Sequence, residues 1–167
     1  MKTLTLNIMA SYPVFWSKQQ VLRDIVQNFY DDIGAFGFAE KFKTMYEPAT
    51  GQVMLSSASD GFSYEWLLHL GASTKQAQPG KYAGFFGEGF KMAALCALRD
   101  HKWKITMRSR DWEIKVCIIG MDIDGRTMQQ LAYNVDEELD YLNETLLVTG
   151  VVASKSASHP RQRISRR

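Results

Sequence analysis

The sequence predicts an α+β fold, a two-layer α/β sandwich in which a mixed, mostly antiparallel sheet carries helices on one face. Three observations lead there. Residues 17–33 hold the strongest helical periodicity in the chain. Residues 103–118 alternate apolar and polar side chains as two strands joined by a hairpin. The order along the chain is strand, helices, strand, helix, glycine-rich loop, helix, then several strands with hairpin links.

Residues 2–8 alternate polar and apolar and predict a first strand. Ser17 followed by Gln20 makes a capping box, with Trp16 and Val21 placed to form a hydrophobic staple beside it. Val21, Leu22, Ile25, Val26, Phe29 and Ile33 fall on one arc of the helix that follows, and Gly34 ends it. Residues 37–46 predict a second helical piece. Gln52 to Ser57 reads as a strand, Asp60-Gly61 as a turn, and 63–70 as a short helix ended by Gly71. Glycines punctuate 71–89, and a helix is predicted over about 88–99. Trp103, Ile105 and Met107 share one face of a strand, and Trp112, Ile114, Val116 and Ile118 one face of the next. A turn at 122–125 leads to a strand near 127–135, and an acidic stretch at 136–144 precedes a last strand near 145–153.

The 167 residues suit one domain, at roughly 100–200 residues per domain. No run approaches the roughly 18 apolar residues of a membrane helix. The N-terminus alternates where a signal peptide would be continuously apolar. Cys96 and Cys117 fit no zinc or redox spacing. A reduced, cytoplasmic protein without membrane partners is expected. Five of the 20 basic residues and none of the 18 acidic ones lie in 154–167, so that tail carries +5 and the body −3. A domain over 1–153 with a disordered tail over 154–167 is expected. The tail is either a solubilising end or an arm that touches nucleic acid or another polyanion.

Three constellations carry candidate chemistry. Asp24, Asn28 and Asp31, spaced i, i+4, i+7, form a polar stripe beside the apolar arc of the first helix. Two carboxylates flanking a carboxamide can hold a hydrated divalent cation; magnesium keeps most of its waters and needs few protein oxygens. The same stripe also suits a solvated helix face. Gly84, Gly87 and Gly89 allow close backbone approach to a ligand. The helix start after them is an anion site, and Lys91 adds a positive charge in its first turn. Ser73, Thr74 and Lys75 offer two hydroxyls and an ammonium at the entrance of a loop that reads as a lid or as ordinary surface.

Together these segments resemble the GHKL ATPases, the superfamily of DNA gyrase, the heat-shock chaperone, histidine kinases and the mismatch-repair protein MutL. Leu22-Arg-Asp-Ile-Val-Gln-Asn28-Phe-Tyr-Asp31 is similar to the family's N box. Leu67-Leu-His-Leu-Gly71-Ala-Ser-Thr-Lys75 is similar to the segment that opens its ATP lid. Gly84-Phe-Phe-Gly87-Glu88-Gly89-Phe90-Lys91 is similar to the glycine box around the phosphates, and Asn143-Glu-Thr-Leu-Leu-Val-Thr149-Gly150 to the closing strand. The resemblance covers residues 5–152. It implies a Bergerat fold that holds ATP and Mg2+ under a lid. By matching position, Asn28 would bind magnesium, Asp24 would serve as general base, and Gly87, Gly89 and Lys91 would serve the phosphates. Thr149 would contact the nucleotide. With Gly61 as the last glycine of the first glycine box, Ser57 and Ser59 stand where the family has the adenine-reading aspartate and a glycine, with Asp60 nearby.

Expected from all this is a Mg-dependent adenine-nucleotide-binding domain with slow hydrolysis, gated by lid closure or by a second copy of the chain. A non-catalytic nucleotide sensor or interaction domain of the same fold is the alternative, and a polyanion-binding module using the tail a third.

Overall fold

The computed structural model describes residues 1–69 and 88–150. Strand β1 (Lys2–Met9) leads into helix α1 (Lys18–Ile33), a single helical turn α2 (Phe38–Lys41), and strands β2 (Phe42–Glu47) and β3 (Gln52–Ala58). A 3₁₀ turn at Tyr64–Leu67 follows, then helix α3 (Gly89–Arg99) and strands β4 (Lys104–Arg110), β5 (Trp112–Ile123), β6 (Arg126–Asp136) and β7 (Leu142–Gly150).

The seven strands form one sheet in the order β1-β6-β5-β4-β7-β3-β2, and every pairing is antiparallel. Among the described residues 45% are strand and 27% helix. The architecture is therefore a sheet-dominated antiparallel fold with few helices, which overturns the expected two-layer α/β sandwich of Bergerat type. Two predicted helices account for much of the difference. Residues 37–46 keep one helical turn and then extend into β2, and 64–67 close only a 3₁₀ turn.

One face of the sheet supplies the core: Leu6 and Ile8 of β1, Leu55 of β3, Ile105 and Met107 of β4, Trp112, Ile114 and Val116 of β5, Leu131, Tyr133 and Val135 of β6, and Leu147 of β7. The alternation read over 103–118 marks this face. Helix α1 contributes Val21, Ile25 and Phe29, and α3 contributes Phe90, Leu95 and three alanines. Burial pushes the pKa of the Tyr133 phenol upward.

Local signals account for the best-read elements. Ser17 Oγ accepts from the Gln20 amide at 3.2 Å, and the Gln20 side chain accepts from the Ser17 amide at 2.8 Å, completing the capping box. Gly34 closes α1 by donating its amide to the Tyr30 carbonyl at 2.8 Å. The β4–β5 hairpin turns through Arg110 and Asp111, between the paired residues Ser109 and Trp112. The β5–β6 arm turns through Asp124 and Gly125, both at positive φ. At its tip, Met121, Asp122 and Ile123 pair with Met128, Thr127 and Arg126 and with no other described strand.

The segment between β1 and α1 is clamped to the end of α3. Arg99 Nη1 donates to the carbonyls of Ala10 and Tyr12, each at 2.9 Å, and Nη2 donates to that of Val14. Asp100 holds the guanidinium in place at 2.7 Å. Cys96 and Cys117 are unpaired thiols, and burial raises the pKa of both. No helix among the described residues is long and apolar enough to cross a membrane.

Replacing Ser17 with alanine is expected to remove about 1 kcal/mol of stability. Leu147→Ala, which opens a cavity in mid-sheet, should remove about 2–5 kcal/mol. Urea unfolding midpoints of the two variants check both the sizes and their order.

Candidate functional site

The Asp24/Asn28/Asp31 stripe lies on α1 beside its buried arc. Asn28 Nδ2 donates to the Asp24 carbonyl at 2.8 Å and to Asp24 Oδ2 at 3.3 Å. Gln27 Nε2 donates to Asp31 Oδ1 at 2.8 Å, and Asp31 is buried. Asp24 also meets the first residue of α3. A Cβ added to Gly89 would lie 2.7 and 3.0 Å from the two Asp24 carboxylate oxygens. Only a residue without a side chain lets that carboxylate close on the start of α3. The unpaired amides and dipole of a helix start favour a negative charge there. Two constellations far apart in sequence thus meet at one point.

The rest of the glycine segment divides. Glu88 is exposed at the N-cap position of α3, and Phe90 is buried in the core. Lys91 is 1% exposed, and its Nζ donates to the His69 carbonyl at 2.5 Å. Desolvation lowers its pKa, against a smaller upward pull from Glu88. The ammonium expected at the phosphates therefore bonds to backbone from inside the fold. Gly84, Gly87, Ser73, Thr74 and Lys75, with the predicted lid, lie outside the described residues.

A second polar group sits on the core face of the sheet. Ser57 of β3 stands opposite Thr145 of β7, which stands opposite Ser109 of β4. All three are buried. Ser109 Oγ and Thr145 Oγ1 are 3.0 Å apart, and Ser59 Oγ lies 3.4 Å from Thr145 Oγ1. Ser57 Oγ has no hydrogen-bond partner among the described residues. Gly61 closes this end: its φ is +65°, and a Cβ there would come within 2.4 Å of Ser109 Oγ. The Asp60 carbonyl accepts from Arg110 Nε at 3.1 Å, while its side chain is exposed.

Thr149 lies four residues along β7 from Thr145, between Val53 and Ile105. It is buried, and its hydroxyl is unpartnered among the described residues. Sequence reasoning missed Thr145 and Ser109. The two threonines share strand parity, so only the register shows that Thr145 faces Ser57. The row adjoins α1 through Phe42, which pairs with Ser57 and packs its ring 5.4 Å from that of Phe29, the neighbour of Asn28.

No group of three or more His, Cys, Asp or Glu side chains among the described residues is placed to hold a metal ion. Elsewhere, a surface cavity of about 360 Å³ is lined by Tyr64, Arg110, Trp112 and Glu137 among others. Lys2 donates to Tyr64 Oη at 2.7 Å and to Glu137 Oε1 at 2.9 Å, and Tyr64 donates to the same carboxylate oxygen at 2.6 Å. This network holds Glu137 below the usual carboxylate range, chiefly through the Lys2 hydrogen bond. Compared with family models and with curated proteins, the chain matches none.

Because the folded pKa of Lys91 lies below its ordinary 10.5, the unfolded chain binds more protons between those two values. Stability contributed at this position then rises with pH across that window. The wild type should gain on Lys91→Met as pH climbs toward 10.5. A stability difference that stays flat in urea titrations over that range would contradict this.

Proposed function

We propose that the chain binds Mg-ATP where α1 meets α3 and hydrolyses it slowly, as a GHKL-type nucleotide-binding domain. The observation that supports this most is the closure of Asp24 onto Gly89, one helical turn from Asn28. It brings the N-box stripe and the start of the glycine-box helix to one place. The reading rests on the site, since the sheet-dominated architecture lends it nothing.

Asn28 donates its amide nitrogen to Asp24, and its carboxamide oxygen is the atom proposed to take the cation. Magnesium bound there would neutralise charge on the transferring phosphate. One carboxamide oxygen with substrate oxygens and waters fits the ion's preferences. Asp24 would orient or deprotonate the attacking water. A base must come within about 2.6–3.2 Å of the proton it takes, directly or through one water. Aspartate is a methylene shorter than the glutamate common at this position in the family. A displacement of about 1 Å can cost roughly a hundredfold in rate, which is why turnover is expected to be slow.

Ser57 Oγ, with Thr145 and Ser109 beside it, is the group proposed to read the base. A hydroxyl can donate or accept, so it discriminates adenine from guanine less than a carboxylate does. A second reading, a nucleotide sensor without turnover, is favoured by the same Asp24 contact. A carboxylate engaged with Asn28 and packed on a helix start has a structural role that needs no catalysis. Steady-state phosphate release separates the two readings.

Asn28→Ala is expected to weaken Mg-ATP about tenfold or more, the loss of one charge-assisted contact of about 1.5 kcal/mol, and to spare metal-free ATP. Titration calorimetry with and without magnesium checks this, and an absence of heat from the wild type at millimolar ATP would end the reading. Asp24→Asn should cut turnover by about a hundredfold or more, the span of a general base, while ATP affinity holds. Unchanged phosphate release in that variant would remove Asp24 as the base.

A further inference from the structure

Among the described strands the sheet ends in two edges, β1 and β2, and they are built differently. On β1 the register breaks between Thr5 and Met9, and Asn7 takes a positive φ of 54°. Such a bulge blunts an edge against further pairing. On β2 the register runs unbroken from Phe42 opposite Ser57 to Glu47 opposite Gln52. No described strand pairs with its other side. Met45 and Tyr46 are each 62% exposed there.

We infer that the chain self-associates through the open edge of β2, two copies joining their sheets antiparallel about a two-fold axis at Met45. Lys43, Met45 and Glu47 share one face of the strand. With Met45 opposite Met45 of the second copy, Lys43 falls opposite Glu47 of that copy, and symmetry makes the ion pair twice. Thr44 then falls opposite Tyr46 on the other face. Sliding one strand by two residues sets Met45 against Lys43 or against Glu47 and breaks both ion pairs, and sliding it by four sets Lys43 against Lys43 or Glu47 against Glu47, so only this alignment makes both Lys43–Glu47 pairs. A lone lysine would guard an edge; here Glu47 answers it. Met54, paired with Met45 on β3 and exposed, extends the junction into an apolar stripe of four methionines. The contact is isologous, as a closed dimer requires. This inference is independent of nucleotide binding.

Sedimentation velocity of the full chain across micromolar concentrations tests it. The wild type should show a concentration-dependent dimer. Lys43→Glu and Glu47→Lys should each weaken it about tenfold, since each replaces two attractive cross-strand pairs by two repulsive ones. The double reversal should restore it. In parallel, Met45→Cys should cross-link to itself on mild oxidation, whereas Thr44→Cys, opposite Tyr46, should not. A wild type that stays monomeric overturns the inference. So does a dimer indifferent to both single reversals, one that the double reversal fails to restore, or a Met45→Cys chain that does not cross-link.

Discussion

The approach of α1 to α3 is the constraint on which the candidate site depends. Gly89, Ala93 and Ala97 recur every fourth residue of α3 and so share one face. Small residues at that spacing let a neighbouring helix come close. At Gly89 the approach is complete enough that the Asp24 carboxylate occupies the space of the missing Cβ. A bulkier residue would push α1 outward and take Asn28 with it, because Asn28 is tied to Asp24 by two hydrogen bonds. The packing of two helices and the geometry of the stripe are thus one property.

The sheet enters through aromatic contacts. Phe42 is the hinge between α2 and β2. Its ring stacks on Phe38 at 4.5 Å and tilts against Phe29 at 5.4 Å. By register it fixes where Ser57 lies relative to α1. The hydroxyl row across β3, β7 and β4 is an unusual use of core space, because a buried hydroxyl without a partner costs free energy. The Ser109–Thr145 pair offsets that locally, and the arrangement at Ser57 keeps a polar atom inside an apolar face.

Strong local signals were legible in the sequence. The capping box at Ser17, the alternation over 103–118 and the glycine after Ile33 each depend on neighbours a few residues away, and each has its expected counterpart in the structure. Residues 37–46 misled for a physical reason. Phe38 and Phe42 satisfy the helical i, i+4 spacing, and Ala39, Glu40 and Lys41 are good helix formers. Pairing with β3 overrides that preference from Phe42 onward, and an exposed edge strand has no buried face to impose alternation. At the site, sequence placed Asp24 and Asn28 on one helix face, but the meeting with Gly89 is a tertiary fact. Lys91 was assigned from its place in a first turn, whereas the phase of the helix carries it inward to His69. Thr145 and Thr149 could be told apart only by the register of β7.

The β5–β6 arm has a practical consequence. Its turn at Asp124 and Gly125 is exposed and lies beyond the last pairing with any other described strand. Chain ends brought out at such a tip disturb no packed surface. A spectroscopic label or a short inserted epitope placed between those two residues would report on the whole domain while leaving α1, α3 and the hydroxyl row as they are.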